Sequence, residues 1–413
     1  MNELYLITFY SSLSTLDTIV LNHKALLNEL EKFFAVHIVD YHDLNSVTPD
    51  SYQAVLIASG GVEELVVSNF NSLPTPLLLL ADGIQNSLAA ALEIKSWFNN
   101  QGISTRLTHG QPGVMVEELL DFYKIKKARI SVKGKRIGVI GDPSSWLIAS
   151  SIDYYTVHCH WGVDFVDISL DELYKRFDSI TDLSEIEIWA KDFENKADAI
   201  LEGNHFEIVK AFKLYKALRM IIEDEKLSAI SVACFTLIDR IQTTGCLALS
   251  RLNDEGFPAG CEGDLPSVFS LFIASQLLDE QGFMANPTRI DRMKGELNLA
   301  HCTVGTRILE KYYIRNHYET GKGIAIQGIW PLEDITVLKC GGKNLDEYFV
   351  SAGSIIENTN DPNSCRTQIK IRMEESVGYF LRNSLGNHHI VIPGNHEAVI
   401  NSFMQSMSCL RIK

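Results

Sequence analysis

The sequence predicts a mixed α/β protein: two Rossmann-like parallel-sheet domains, then a mainly antiparallel, β-barrel-like C-terminal domain with a terminal helix. Three observations predict it. Short β-rich runs alternate with helical patterns through the first 130 residues. The alternation restarts after a basic stretch at 124–135. Beyond about residue 295 the chain turns to short β runs separated by turn residues. At 413 residues it is also too long for one ordinary hydrophobic core.

The elements follow in order. ELYLITF (3–9) reads as a strand, and STLDTIVLNHKALLNELEKFF (14–34) as a helix that opens on capping residues. FAVHIVD (34–40), AVLIASGG (54–61) and PLLLLADG (76–83) are β-rich runs ending in small or polar residues. This β-α-β-α alternation predicts a parallel sheet covered by helices. The basic stretch KIKKARISVKGK marks the boundary, so the domains are expected at 1–130, 131–295 and 296–413. RIGVIGDPSSWL (136–147) begins the second unit as a strand, a glycine and an Asp-Pro-Ser-Ser opening a helix. Strand VDFVDI (163–168), a helical region near 185–225, and strands SAISVACF (228–235) and GFPAGCE (256–262) follow. LPSVFSLFIASQLLDE (265–280) has helical apolar spacing, with Pro266 at its start, and GFMANP (282–287) reads as the next strand of the same sheet. GIAIQGIWP, DITVLKCGG, EYFVSAGSII, QIKIRMEE and HHIVIPG supply the C-terminal β runs, and HEAVINSFMQSM (396–407) the last helix.

Bulk properties narrow the function. With 37 Lys and Arg against 52 Asp and Glu, the net charge is −15, which disfavours nucleic acid or an anionic membrane as partner. No apolar run reaches the length of a membrane span, and the N-terminus lacks a basic region and a cleavage site, so a cytoplasmic location is expected. The eight cysteines form no CxxC pair and read as reduced, mostly buried thiols. A Ser-His-Asp arrangement lacks its GxSxG elbow, and both GDPSSW and HYETGKG lack the spacing of a phosphate-binding loop. GDPSSW can hold an anion or a sugar hydroxyl on helix N–H groups, or simply cap a helix.

The stretch GFPAGCEGD (256–264) is the informative one. If GFPAGCE and GFMANP are parallel neighbours, Glu262 and Asn286 both lie at strand carboxyl ends, where open α/β sheets place their ligands. Asp264 can share that crevice or only cap the following helix. Glu262 has no comparable structural reason to be there.

GFPAGCEGDLPS, FMANPTRID, LAHCTV (299–304), HYETGKGIAIQG (317–328), NSCRTQIKI (363–371) and LGNHHIVIPGN (385–395) resemble, in order, the fucose isomerase-like branch of the L-fucose/L-arabinose isomerase superfamily. The resemblance implies a metal-dependent aldose–ketose isomerase acting on a free sugar through an enediol. The alternative is a sugar- or effector-binding protein on the same scaffold, with reduced or lost catalysis. It implies Mn2+ (or Mg2+) held by Glu262, Asn286 and His388, with Asn286 standing where the family carries an aspartate. It also implies catalysis by Glu262 and Asp264, substrate contacts from Asn387, Arg366 and Gln327, and a homo-oligomer, trimer or hexamer.

The chemistry fits that donor set. Carboxylate oxygen plus imidazole suits Mn2+ or Mg2+, and enediol chemistry needs a cation at the carbonyl and a base at C2. Asparagine brings an oxygen but no charge, and it cannot be a base. His388 and His389 are adjacent and on a strand would face opposite sides, so only one can point into the site; the resemblance favours His388, with His389 as the structural residue. His301 and His317 are candidates for supporting groups. His158 and His160 would share a face of a strand but lack an acidic third ligand. Arg366 can meet a sugar or pair with a surface carboxylate.

Overall fold

The alternating apolar runs of the first compact unit (Met1–Lys126) form a five-stranded parallel sheet. In a computed structural model, which describes residues 2–44, 47 and 52–413, its strands are β1 (Asn2–Phe9), β2 (Phe34–Asp40), β3 (Tyr52–Ile57), β4 (Leu77–Leu80) and β5 (Thr105–Thr108), in the order β2-β1-β3-β4-β5. The four leucines of β4 are all buried, as a strand with helices on both faces requires. The segment 14–34 is two helices, Leu16–Asn22 and Lys24–Leu30, rather than the single one its periodicity suggests. The break falls at His23, whose buried ring is tied at Nδ1 to Asp82 (2.6 Å) and at Nε2 to the Ala58 carbonyl (3.1 Å).

The second unit (Lys127–Lys413) contains a parallel sheet and a closed barrel. The sheet is built from β6 (Arg136–Ile140), β7 (Asp164–Ile168), β9 (Ala229–Val232) and β10 (Ala259–Cys261), in the order β10-β9-β6-β7. Between them, β8 (Ala199–Ile200) pairs instead with β13 (Lys311–Arg315), which pairs with β14 (Ala325–Ile329). The antiparallel barrel is β11 (Phe283–Asp291), β12 (Glu296–His301), β15 (Asp334–Gly341), β16 (Glu347–Asn358), β17 (Thr367–Met373) and β18 (His389–Pro393). Its ring runs β15-β18-β11-β12-β17-β16 and closes by pairing β16 with β15, so none of the six is left as an open edge. A short β19 (Leu410–Arg411) joins β16 alongside.

Three local expectations are corrected. GFMANP is not a strand of the parallel sheet: β11 pairs antiparallel with β12 and β18, and so opens the barrel. A run of small and apolar residues cannot by itself choose between two buried sheets. Asp-Pro-Ser-Ser opens no helix, because the chain stays irregular until helix Tyr154–Trp161, which Asp153 caps through Thr156 N (2.9 Å). His158 and His160 lie on that helix, not on a strand. His158 pairs with Asp164 (2.7 Å) at the surface. The basic stretch is largely the end of helix Pro112–Ser131.

Helix Leu265–Leu278 positions the site. Its residues from Leu265 to Ala274 are buried on every side, the signature of a helix enclosed within a core. It packs against β9 and β10 on the sheet and against β15 and β18 on the barrel. Ser270 Oγ donates to the Pro266 carbonyl (2.7 Å) and accepts from Cys340 N on β15 (2.8 Å), so even the polar positions join helix to barrel.

The turn that leads into this helix needs glycine. Gly263 sits at φ +70°, and a β-carbon there would lie 2.6 Å from the Pro143 α-carbon. Gly263→Ala is expected to lower the free energy of unfolding by about 1–3 kcal/mol, since both the backbone conformation and the neighbouring backbone resist it. Denaturant unfolding measures this, and unchanged stability would show that the 141–146 segment can retreat.

Candidate metal centre

Three side chains converge where the parallel sheet meets the barrel. Glu262 follows β10 directly, His301 ends β12, and His388 precedes β18. Each can offer one ligand atom, and these atoms lie within 4.8 Å of one another. Glu262 Oε1 is 3.5 Å from His388 Nε2 and 4.0 Å from His301 Nε2. Glu262 is itself held at φ +63°, in the left-handed region. A non-glycine residue kept there is strained, and such strain concentrates at working sites.

Each member is held from behind. Trp146, on the irregular segment after β6, donates its indole N–H to Glu262 Oε2 (2.8 Å). Ser144 N donates to the Glu262 carbonyl (2.9 Å), fixing the same segment to the turn. His301 Nδ1 lies 2.9 Å from the Thr303 hydroxyl. His388 Nδ1 lies 2.8 Å from Asp264 Oδ2. With that nitrogen donating to the carboxylate, His388 Nε2 is fully buried, without a hydrogen-bond partner, and directed at Glu262. A carboxylate behind a ligating imidazole is the usual way to fix its tautomer and raise its basicity.

Asp264 therefore has two duties. Its Oδ1 accepts from Ser267 N (2.9 Å) and caps helix Leu265–Leu278, while Oδ2 holds His388. The Lys339 ammonium from β15 lies 3.7 Å from Oδ2 and donates to Ser267 Oγ (2.7 Å), and neither Lys339 nor Asp264 has solvent exposure.

The electrostatics follow from burial and neighbours. For Glu262 burial acts to raise the pKa. The adjacent His388 imidazole, the positive charge of His301 when protonated and the Trp146 N–H outweigh it and hold the group down at about 2. Asp264 is likewise opposed by burial but kept well below the carboxylate range by Lys339 and His388. His301 is pushed down to about 4, mainly by burial and then by the neighbouring charge of His388, so it is neutral at neutral pH. Burial also acts to lower His388, yet its hydrogen bond with Asp264 and the facing negative charge of Glu262 leave it raised. The site is an ionised carboxylate facing two imidazoles, one of them with an unbonded buried nitrogen. That donor set fits a divalent cation, whose binding would favour the deprotonated imidazoles.

Two of the three, Glu262 and His301, line a cavity together with Phe235, Ile238, Thr244, Asn286, His317, Glu319 and five cysteines. A roomier cavity, among Trp189, Phe212, Arg251 and Arg307, gathers no comparable group of ligands among the described residues. Asn286 lines the same cavity as Glu262 and His301, and its Oδ1 accepts from Asn387 Nδ2 (3.1 Å). The pairing of Ala285 with His389 sets it beside His388 on the adjoining strand. His389 turns away, its two nitrogens engaged by the Asn387 carbonyl (3.0 Å) and Tyr379 Oη (3.1 Å). Arg366 pairs with Glu202 (2.9 Å) and donates to the Asn316 carbonyl (2.9 Å), and Gln327 accepts from Arg315 (3.0 Å); neither lines the cavity. His317 does line it, edge-on to Phe235.

His301 as a ligand, and Trp146 in any role, are not legible in the sequence. Neither has a local signal. His301 needs the closure of the barrel to reach Glu262, and Trp146 needs the irregular course of GDPSSW.

No protein-family model matches the chain. Over 217 residues it is 25% identical to the sulfoquinovose isomerase of Clostridium sp. (strain MSTE9), a match that takes in 49% of this chain and 46% of that protein. The chain thus spans about half the length of the curated relative it matches, and over that half it is similar to a sugar isomerase. Among the described residues, no helix is long and apolar enough to cross a membrane.

Asp264→Asn keeps a capping side chain but leaves the Lys339 ammonium buried without a counter-charge. We expect it to cost about 3–5 kcal/mol of folding free energy. Adding Lys339→Met to that variant should return most of the loss. Guanidinium unfolding of the two single variants and the double variant measures the coupling, and strictly additive losses would show that the groups act independently.

Proposed function

We propose that this chain is a divalent-metal-dependent aldose–ketose isomerase of the fucose/arabinose isomerase type, acting on a free sugar through an enediol. The observation that carries the reading is the unbonded, buried His388 Nε2 directed at Glu262 beside His301. The half-length similarity to a sugar isomerase supports it.

Glu262, His301 and His388 would hold Mn2+ (or Mg2+), with the Asn286 amide oxygen close by. The cation supplies positive charge to the sugar's carbonyl and adjacent hydroxyl oxygens. The remaining work falls to the chain. Glu262, ionised at neutral pH, takes the proton from C2 and returns it at C1, while Trp146 holds its second oxygen. Asp264 is a positioning residue, keeping His388 in the tautomer that frees Nε2. The Phe235 and Ile238 side chains give the cavity an apolar wall against the C–H face of a sugar and help exclude water. Thr244 offers a buried hydroxyl, without a hydrogen-bond partner among the described residues, to a sugar oxygen.

A second reading rests on Asn286. The family aspartate position carries a neutral amide already engaged by Asn387, which is also what a sugar- or effector-binding protein with reduced chemistry would carry.

Two measurements test these readings. In protein purified with added manganese, elemental analysis should find about one Mn2+ per chain, lost in Glu262→Ala, and one of a panel of aldoses should be converted to its ketose. Glu262→Gln should lower that turnover by about 10²–10⁴-fold with the fold intact. Metal retained in this variant assigns proton transfer to Glu262, metal lost assigns it ligation, and full turnover removes it from the mechanism. Asn286→Asp decides between the two readings. A working isomerase should keep or lose activity on this change, whereas a rise of about tenfold or more, equivalent to about 1.4 kcal/mol in the barrier, favours the compromised scaffold.

A further inference from the structure

Five of the eight cysteines, Cys234, Cys246, Cys261, Cys302 and Cys365, line the cavity that Glu262 and His301 face. Two of them are already in register for a bond. Cys234 begins the single 3-10 turn after β9, and Cys261 ends the neighbouring parallel strand β10. Their side chains converge across 27 residues of sequence, and the Cys261 thiol donates to the Cys234 sulfur at an Sγ–Sγ distance of 2.8 Å. A disulfide needs about 2.05 Å, so less than about 1 Å of approach separates the dithiol from the bond. Both residues are nearly buried, at 3% and 4% exposure, but they share the cavity wall, which gives a small oxidant a route. The other three cavity cysteines cluster around Ala325.

We propose that Cys234 and Cys261 form an oxidation-sensitive dithiol that closes to a disulfide with a hydroperoxide. The Cys234 sulfur attacks one peroxide oxygen. The O–O bond breaks, a sulfenic acid forms, and the leaving oxygen departs as water with the thiol proton. The Cys261 sulfur then attacks the sulfenic sulfur. The S–S bond forms, the S–O bond breaks, and the second oxygen leaves as water with the second thiol proton. Two thiols are oxidised by two electrons, and one hydrogen peroxide is reduced to two waters. Cys234 is the first nucleophile because its sulfur receives the Cys261 hydrogen bond. Cys261 is joined through the backbone to Glu262, so closing the bond displaces the carboxylate from His388 and His301. This consequence rests on the metal-centre reading, whereas the disulfide itself does not.

The test uses the full chain carrying Cys159→Ser, which removes the exposed thiol. Treatment with about one equivalent of hydrogen peroxide should consume two thiols per chain and lower the intact mass by two hydrogens. Non-reducing peptide mapping should link the peptides of Cys234 and Cys261, and dithiothreitol should release them. Cys234→Ser and Cys261→Ser should each abolish the link. Added oxygen without a cross-link, a cross-link between other cysteines, or no thiol lost would overturn the dithiol. Mn2+ content of the oxidised protein is read separately, and is expected to fall. Full Mn2+ in cross-linked protein whose reduced form binds it would overturn the coupling to Glu262, while no Mn2+ in either form overturns the metal-centre reading and leaves the dithiol result standing.

Discussion

The carboxylate of Asp264 is the constraint on which the rest of the second unit depends. It is buried where the parallel sheet, the enclosed helix and the barrel meet, and it makes one contact with each need of that junction. It caps the helix through Ser267 N, balances the Lys339 ammonium from β15, and holds His388 before β18. A helix buried on all sides has no water at its N-terminus, so its first N–H groups require a protein partner. A neutral cap such as serine would meet that need. It would leave Lys339 without an opposing charge and His388 without a fixed tautomer. The ionised side chain is therefore explained by its three partners together rather than by capping alone.

The candidate centre is a by-product of this junction. Once helix Leu265–Leu278 is fixed between sheet and barrel, the turn ahead of it must bring Glu262 out at the end of β10, and left-handed conformations at Glu262 and Gly263 make that turn. Closure of the barrel then delivers His301 and His388 from two strands distant in sequence. Because Asp264 and Trp146 grip the outer atoms of the group, the atoms facing one another are the ones left for an ion. Ligands supplied by separate rigid elements and held from behind are pre-organised for binding.

The thiols belong to the same wall. Cysteine is small and apolar enough to fill the narrow space between β9, β10 and the barrel, which explains its accumulation there by packing. The same packing brings Cys234 and Cys261 into sulfur contact one residue before Glu262. A core residue chosen for size thus carries redox chemistry next to the carboxylate.

What the sequence by itself determined was local. Periodicity and turn residues placed β1, β2, β6 and the helix Leu265–Leu278, because strands and amphipathic or wholly apolar helices write their burial into neighbouring residues. The order of motifs carried the similarity to sugar isomerases, and GFPAGCEGD drew attention to Glu262 because a carboxylate after a buried strand has few other uses. What only the tertiary structure decided was which side chains meet. It moved Phe283–Asp291 from the sheet to the barrel, since either sheet would accept the same apolar run. It brought in His301 and Trp146, left Asn286 on Asn387, and sent Arg366 to Glu202. These outcomes depend on contacts between residues tens to hundreds of positions apart, which barrel closure and helix burial fix and no local pattern records.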